Sequence, residues 1–333
     1  MRIPGIVSVS LLLVCVAGQT ASADEPSAAV ARIRKDADAL RPTVTSPLAG
    51  RFLEKAAALP DIAPRKLHRD ASRTHYYTEA EAQKLPAAEQ EALEMMELDA
   101  GFYYNTKYGS PLAYVRPLDL LAGAGLNDLK RKKVLDFGYG SIGHLKLMAE
   151  MGARVVGVEV DPMLRALYSF PGDQGKVTLL HGNFPGEQEI RSRVSDGYDL
   201  FISKNVLKNG YIHPAREVDP KRLVHLGVSD EAFVDAVSTL LNPGGFAMIY
   251  NLHPPESPPD QPYFPWADGR CPFARNLWEA AGFEILQFDK DDGPAARAMA
   301  HALGWDQGEG GMNLEKDLFA TWTLVRKGAA PRR

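Results

Sequence analysis

Cysteine is scarce in this chain. Its 333 residues contain two cysteines, Cys15 and Cys271. A framework of disulfides, of the kind that stabilises many small exported domains, is therefore excluded. Hydrophobic residues make up 45% of the sequence, which is ample for a core in a chain of this length. We expect a folded globular protein that is stabilised by apolar burial.

An excess of positive charge is missing as well. The 38 lysines and arginines are outnumbered by 42 aspartates and glutamates, and the formal net charge is −4. The basic run "KRKK" at residues 130–133 precedes a predicted strand and is interpreted as a solvated loop. A nucleic acid is therefore not expected as a partner.

Metal and nucleophile motifs are also absent. His68 and His75 lack cysteine or acidic partners at useful spacing, and His253 stands alone among prolines. The segment "GSIG" at 140–143 belongs to a glycine-rich loop and lacks the pattern of a nucleophile elbow. We expect neither a bound metal nor a serine nucleophile.

The apolar run at the N-terminus is too short to span a membrane comfortably. It covers about 11 residues, from about residue 6 to residue 16, whereas a bilayer core needs about 20. Arg2 precedes the run and the small-residue site "ASA" at 21–23 follows it, which predicts a cleavable signal peptide over residues 1–23. An uncleaved anchor is the alternative. We expect a periplasmic or secreted protein with no stable membrane anchor after cleavage.

Residues 24–127 are predicted to form a helical N-terminal cap. They are rich in alanine, glutamate, leucine and arginine, and they show no clear strand pattern. Thr78 and Glu81 have the spacing of a capping box, and Pro86 can occupy the first turn of a helix through "AAEQEALEMMELD". The buried face of that helix is predicted to carry Met95, Met96 and Leu98.

Three segments are longer or more aromatic than a scaffold requires. The segment "GFYYNTKYGSPLAYV", which begins at residue 101, is either a packing hinge or a flap over a ligand. Residues 252–272, rich in proline and aromatics, are either a lid or a solvated surface loop, and residues 289–317 are either a lid or a disordered insertion. The substrate contacts predicted in these regions are Tyr104, Tyr108, His253 and Trp266.

Residues 128–328 alternate short apolar runs with amphipathic helices. The predicted strands include "KVLDFG", "ARVVGVEVD", "KVTLLHGNF", "YDLFISKN" and "GGFAMIYNL", and two more precede a tail at 329–333. Ser229 is a natural N-cap for the helix before the fifth strand. The alternation predicts an α/β fold, with a doubly wound, mostly parallel seven-stranded sheet covered by helices on both faces.

Three glycines follow the first of these strands. Gly138, Gly140 and Gly143 fit a dinucleotide fingerprint, and Glu159 fits the acid that binds the ribose hydroxyls. Asp136, however, sits just before the first glycine, where a carboxylate would repel a pyrophosphate. On these residues alone, a nicotinamide dinucleotide and a nucleotide without phosphate both stay open.

Taken in order, the motifs resemble those of the class I S-adenosylmethionine-dependent methyltransferases over roughly residues 110–327. "VLDFGYG" resembles their first motif, "VVGVEVDP" the second, "LLHGNF" the third-strand segment, "YDLFISKN" the fourth, and "LLNPGGFAMIY" the Pro-Gly-Gly turn before the fifth strand. The resemblance implies a methyltransferase-like Rossmann fold. It also implies S-adenosylmethionine as cofactor, a ligand with ribose and adenine but no phosphate.

The cofactor site implied by this resemblance comprises Asp136, Gly138, Tyr139, Gly140, Gly143, Glu159, Asn183 and Phe184. Asp136 and the glycine-loop backbone would hold the methionine end, and Glu159 would accept both ribose hydroxyls. Asn183 would accept the adenine amino group, and Phe184 would pack on the ring. The family more often has its third glycine one residue earlier, and it often has an aspartate at the position of Asn183.

Methyl transfer from a sulfonium is an in-line displacement, which depends on positioning and needs a base only if the acceptor keeps its proton. The segment "SKNVLKNGYIHP" lies where the family places residues that face the methyl group. The catalytic candidates are Lys204, Asn205, Tyr211 and His213. His213 is the most plausible proton acceptor near neutral pH, and packing or capping before Pro214 is its alternative role.

We therefore expect methyl transfer to a small-molecule acceptor. An exported methyltransferase-like binding protein without catalysis and an NAD-dependent oxidoreductase are the alternatives. Export adds a requirement, because the charged cofactor does not cross an apolar bilayer unaided and would have to be supplied.

Overall fold

A computed structural model describes residues 27–328, except for the side chain of Tyr108. The signal peptide predicted over residues 1–23 and the tail at 329–333 lie outside the described residues. Within this range no helix is long and apolar enough to cross a membrane. Cys271 is a buried free thiol.

The N-terminal unit, residues 27–127, combines helices with a small sheet. Its elements are α1 (Ala28–Leu40), α2 (Pro47–Glu54), β1 (Arg65–Arg69), β2 (Tyr76–Thr78), α3 (Glu79–Ala82), α4 (Ala87–Glu91), β3 (Glu94–Leu98), α5 (Ala100–Asn105) and α6 (Val115–Gly123). The three strands form an antiparallel sheet in the order β2-β1-β3. The capping box of Thr78 and Glu81 is confirmed at the start of α3.

The small sheet corrects the expectation that this unit has no strands. Helix α4 ends at Glu91, and the segment assigned to its buried face is strand β3. Met95 is 52% exposed, whereas Met96 packs against the core and Leu98 is buried. This alternation is the period of a strand and places Met96 opposite Leu67 of β1.

The second unit alternates strands and helices as the sequence predicts. Its elements are β4 (Lys133–Phe137), α7 (Gly143–Glu150), β5 (Arg154–Glu159), α8 (Pro162–Leu167), β6 (Val177–His181), α9 (Gln188–Val194), β7 (Tyr198–Lys204), α10 (Asn209–Ile212), α11 (Asp230–Leu240), β8 (Leu241–His253), α12 (Arg275–Ala280), β9 (Phe283–Asp291), α13 (Gly293–Ala302), α14 (Leu314–Asp317) and β10 (Phe319–Lys327). Ser229 caps α11, as predicted.

The large sheet has seven strands in the order β6-β5-β4-β7-β8-β10-β9. The first five are parallel, and β10 runs antiparallel to both of its neighbours, β8 and β9. The predicted doubly wound, mostly parallel seven-stranded sheet is confirmed.

Both faces of this sheet are buried, because neighbouring strand residues point to opposite sides. Val134 joins the core that contains the N-terminal helices, and Leu135 joins the core under α11 and α12. The N-terminal unit therefore shares a continuous core with the large sheet. A buried polar contact joins them as well, because Arg116 of α6 donates twice to Asp292, at 2.8 and 2.7 Å, and Tyr250 of β8 donates to the same carboxylate at 2.9 Å.

The segment 289–317 is not the lid or disordered insertion that its length suggested. It contains the end of β9 followed by α13 and α14. Ala296, Met299 and Ala300 of α13 are buried in the core shared with the N-terminal helices. The extra residues therefore contribute to packing.

Candidate active site

The strand order reverses beside β4, which has β5 on one side and β7 on the other. In open parallel sheets, ligands bind outside the carboxyl ends of the strands at such a point. The last residues of these three strands, Phe137, Glu159 and Lys204, line a cavity of about 880 Å³ at this edge. That volume lies within the usual range for a small-molecule site, about 300–1,000 Å³.

The cavity has two sides that differ in chemistry. The glycine-loop side, toward β5 and β6, is formed by Gly138, Tyr139, Gly140, Glu159, Asn183 and Phe184. The lysine side, toward β7 and β8, is formed by Tyr114, Lys204, Lys208, Tyr211 and Trp266. The motifs that sequence analysis placed far apart therefore meet in one cavity.

Two glycines of the loop are needed for its shape. Gly138 and Gly140 have φ values of 71° and 61°, in the left-handed region that favours glycine. A Cβ at Gly138 would also lie 2.5 Å from Cγ2 of Val206. Gly143 has a different role, because it starts α7 and a Cβ there would meet Pro111 at 2.7 Å, so that Gly143 allows close packing and does not line the cavity.

Most backbone N–H groups of this loop already donate hydrogen bonds within the protein. Four of them donate to protein oxygens: Gly138 to the carbonyl of Val158 (2.9 Å), Gly140 to Oε2 of Glu159 (3.1 Å), Ser141 to the carbonyl of Tyr139 (2.5 Å), and Ile142 to the hydroxyl of Tyr168 (3.2 Å). Phosphate-binding glycine loops instead point such groups at the ligand. This loop is therefore poorly suited to hold a pyrophosphate.

Glu159 stands where the ribose-binding acid was predicted. It lines the cavity and is 9% exposed. Its carboxylate accepts three backbone N–H groups, from Gly140 at 3.1 Å, Val160 at 2.8 Å and Asp161 at 3.1 Å. Burial raises the pKa of Glu159, although these hydrogen bonds act in the opposite direction. A carboxylate has about four acceptor positions, so the fixed group can still accept from a ligand hydroxyl.

Asn183 and Phe184 line the same side of the cavity. The side-chain nitrogen of Asn183 donates to the carbonyl of His225 at 2.9 Å. This contact fixes the amide with its nitrogen engaged, which leaves the oxygen to accept from a ligand amino group. Phe184 is 1% exposed and packs near Phe233, which holds its ring in place.

Asp136 lies behind the cavity wall and does not line it. It is fully buried, and its Oδ2 lies 2.7 Å from Nε2 of His144. Burial lowers the pKa of His144, so the neutral ring donates to Asp136. The ring of Tyr114 stacks on His144 with centroids 3.6 Å apart. Asp136 therefore holds His144 in place behind the wall, and its other oxygen, Oδ1, is buried without a hydrogen-bond partner among the described residues.

Two lysines bring positive charge to the cavity. Burial lowers the pKa of Lys204 to about 8 and that of Lys208 to about 7. Nζ of Lys208 donates to the carbonyls of Leu252 at 2.6 Å and Trp266 at 3.0 Å, which ties the segment 252–272 to the site. Nζ of Lys204 lies 5.6 Å from the centroid of the Tyr114 ring.

Among the other catalytic candidates, Asn205 and Tyr211 line the cavity and His213 does not. Oδ1 of Asn205 accepts the backbone N–H of Leu252 at 2.7 Å, and burial raises the pKa of Tyr211. His213 lies outside the cavity, directly after α10 ends at Ile212. Its half-exposed ring lies 2.9 Å from Asp230 at the start of α11.

Of the predicted substrate contacts, one lines the cavity and two do not. Trp266 lines the cavity. Tyr104 is fully buried and donates to the carbonyl of Pro60 at 2.6 Å, and His253 lies 3.0 Å from the hydroxyl of Thr321, so neither reaches the cavity. The side chain of Tyr108 lies outside the described residues.

Sequence reasoning missed several parts of the wall, of which three stand out. Tyr114 and Lys208 are the buried ones, and residues 221–225 form part of the rim. Lys208 follows Lys204 by four residues in a segment that was already singled out, and Tyr114 belongs to the aromatic segment interpreted as a hinge or flap. The rim carries no motif. Among the described residues, no group of three or more histidines, cysteines or acids could hold a metal ion.

No family model matches this sequence, and no curated protein matches it. Solved structures do resemble the chain. An S-adenosylmethionine-dependent methyltransferase from Mesorhizobium loti matches at 15% identity, with 62% of this chain and 96% of that chain covered and a TM-score of 0.37. The [4+2]-cyclase SpnF matches at 15% identity, with 85% and 93% covered and a TM-score of 0.39.

A third similar structure is fibrillarin from Aeropyrum pernix with natively bound S-adenosyl-L-methionine, at 14% identity, with 58% of this chain and 66% of that chain covered and a TM-score of 0.31. All three TM-scores are below 0.5, so these likenesses assign neither activity nor substrate to the chain. The sheet itself, with strand order β6-β5-β4-β7-β8-β10-β9 and β10 antiparallel, has the architecture of the class I S-adenosylmethionine-dependent methyltransferase fold.

Proposed function

We propose that this protein transfers a methyl group from S-adenosylmethionine to a small-molecule acceptor bound in the same cavity. The observation that carries the proposal is a single cavity with two chemically different sides. One side presents Glu159 and the oxygen of Asn183 beside a glycine loop, and the other presents lysines and aromatic rings. A cofactor and an acceptor could thus meet at the reversal point of the sheet.

The glycine-loop side fits an adenosyl ligand. Glu159 would accept the ribose hydroxyls, and Asn183 would accept the adenine amino group. Phe184 offers an apolar wall for the ring. The engaged N–H groups of the loop favour a nucleoside without phosphates over a dinucleotide.

When bound, the cofactor supplies an electrophilic methyl group on a sulfonium. The residues of the chain would hold an acceptor in line with that group and exclude water, since positioning supplies much of the rate in such a displacement. Tyr114, Tyr211 and Trp266 provide the apolar wall for this. Burial raises the pKa of Tyr211, so its hydroxyl stays protonated near neutral pH and can donate a hydrogen bond to the acceptor.

The proposal is tested by calorimetric titration of residues 24–333 with S-adenosylmethionine, S-adenosylhomocysteine and NAD. We expect both adenosyl ligands to bind and NAD not to bind. Binding of NAD alone would favour the oxidoreductase. If both adenosyl ligands bind but no methyl transfer is found across a broad panel of small acceptors, the catalytically inactive binding protein becomes the better description.

A substitution at Glu159 tests the assignment of the glycine-loop side. We predict that Glu159→Gln weakens the binding of S-adenosylhomocysteine by roughly 1–3 kcal/mol, because a charged acceptor is lost from a buried site. Glu150→Gln is the control, since Glu150 pairs with Lys176 at the surface. Equal affinities for the wild type and Glu159→Gln would contradict the assigned site.

We further propose that the protein is exported by a signal peptide over residues 1–23. The support is the pattern of Arg2, the apolar run and the "ASA" site. Mass spectrometry of the protein from its native cell should find Asp24 at the N-terminus. Recovery with Met1 still present would contradict cleavage.

A further inference from the structure

Lys204 is a largely buried lysine in the wall of the cavity. It is the last residue of β7, it lines the cavity, and it is 9% exposed. Among the described residues, no hydrogen-bond acceptor contacts its Nζ, and no carboxylate oxygen lies within the 4.0 Å of an ion pair. Burial disfavours the charged form of this side chain and lowers its pKa, because the protein replaces little of the hydration that the ammonium loses.

The groups around Lys204 do not satisfy its charge. Asp136 is the acid whose charge acts on Lys204. Its Oδ2 lies 2.7 Å from His144, and although its buried Oδ1 has no hydrogen-bond partner within the described part of the chain, neither oxygen lies close enough to Lys204 to form an ion pair. The Tyr114 ring offers its face at 5.6 Å. Lys208 adds a second positive charge, although its own Nζ is hydrogen-bonded to two carbonyls.

We propose that the cavity binds a carboxylate against Nζ of Lys204. Lysine and carboxylate form a charge-assisted hydrogen bond, which is strong where water is excluded. The carboxylate has two possible sources, the methionine end of the cofactor or an acid group on the acceptor. In naming the cofactor as one source, this inference rests on the proposed function.

The charges of the proposed ligands support the same assignment. S-adenosylmethionine carries a sulfonium, an ammonium and one carboxylate. A sulfonium that approached Lys204 and Lys208 with no anion between them would be repelled, since unit charges a few ångströms apart interact strongly away from bulk water. A carboxylate at Lys204 removes this repulsion.

The test compares the wild type with Lys204→Met, which keeps most of the length of the side chain and removes its charge. The first arm titrates S-adenosylhomocysteine and 5′-methylthioadenosine, which lacks the amino-acid end. If the cofactor supplies the carboxylate, Lys204→Met should bind S-adenosylhomocysteine about tenfold more weakly and bind 5′-methylthioadenosine unchanged.

The second arm titrates benzoate and its neutral counterpart benzamide in the presence of S-adenosylhomocysteine. If the acceptor supplies the carboxylate, Lys204→Met should lose about tenfold in affinity for benzoate, and the affinities for benzamide and both nucleosides should be unchanged. Lys290→Met is the matched control, since Lys290 is an exposed lysine of β9 outside the cavity.

The outcomes separate this inference from the proposed function. If Lys204→Met remains folded by thermal unfolding and changes none of the four affinities, the carboxylate site is overturned while the methyltransferase proposal stands. If the wild type binds neither nucleoside but binds benzoate through Lys204, the proposed function fails and the carboxylate site stands. A similar loss of affinity in Lys290→Met would mean that the effect comes from the net charge of the protein, and it would also overturn the site.

Discussion

At the scale of single residues, the two lysines make the stability of the protein depend on pH. Burial lowers the pKa of Lys204 to about 8 and of Lys208 to about 7, against an ordinary value of 10.5. Between the folded and the ordinary pKa, the unfolded chain binds more protons than the folded one. The free energy of unfolding therefore rises with pH across this range.

This effect predicts the behaviour of Lys204→Met without ligand. At pH 7 the variant should be at least as stable as the wild type, because it removes a buried charge without a partner. From pH 7 to pH 9 the wild type should gain about 1–2 kcal/mol relative to the variant, which lacks this titration. Urea unfolding at both pH values measures the difference, and Lys290→Met serves as the exposed control. A difference that does not change with pH would contradict the assigned burial.

Sequence reasoning placed in the site several residues that directly follow a strand, and the structure brings them to the cavity. Glu159, Asn183 and the glycine loop all reach the cavity, because the carboxyl ends of parallel strands meet at one edge. His213 lies outside the cavity because its position depends on where a one-turn helix ends, which the motif does not specify. Tyr114 was missed as a site residue because its place in the wall comes from packing between units that are distant in sequence.

At the scale of elements, the glycine loop is shaped by both backbone conformation and packing. We predict that Gly138→Ala lowers the free energy of unfolding by more than about 2 kcal/mol, because a positive φ and a clash with Val206 act together. Gly282→Ala separates the two causes, since Gly282 has a φ of 86° but no atom within 4 Å of an added Cβ. It should cost about 1 kcal/mol. Equal losses in urea unfolding would mean that the contact with Val206 contributes nothing.

The elements of the α/β unit were predictable, whereas the small N-terminal sheet was not. Strands β4 to β8 carry apolar runs that are bounded by turn residues, the pattern of a strand buried on both faces. Strand β1, "RKLHR", buries only Leu67, and its order comes from pairing with β2 and β3. Its sequence therefore carries almost no strand signal. In β3, two adjacent methionines hid the alternation that exposes Met95.

At the scale of the whole molecule, the N-terminal unit and the large sheet should unfold together. Asp292 joins them, because it accepts from Arg116 of α6 and Tyr250 of β8. We predict that Asp292→Ala destabilises the whole chain by about 2–4 kcal/mol, because a largely buried arginine loses its main partner. Circular dichroism and tryptophan fluorescence should report one shared transition in both proteins. Two separated transitions in the wild type would contradict the continuous core.

The overall fold could be predicted from the sequence because it follows from repeated local patterns. The shape of the cavity could not be predicted, because it depends on contacts between distant segments. Alternating strands and helices favour one sheet architecture. The cavity also depends on the N-terminal unit, which supplies Tyr114, and on segment 252–272, which supplies Trp266 and is held by Lys208. Neither contact follows from local sequence.

The position of Trp266 has a practical consequence. Of the four tryptophans, Trp266 alone lines this cavity, on its lysine side. The fluorescence of Trp266 should therefore change when a ligand occupies that side, and no added label is needed. A nucleoside that fills only the glycine-loop side should leave the signal almost unchanged, whereas a ligand that reaches Lys204 and Lys208 should alter it. Candidate acceptors can thus be screened on the unlabelled protein by its tryptophan fluorescence.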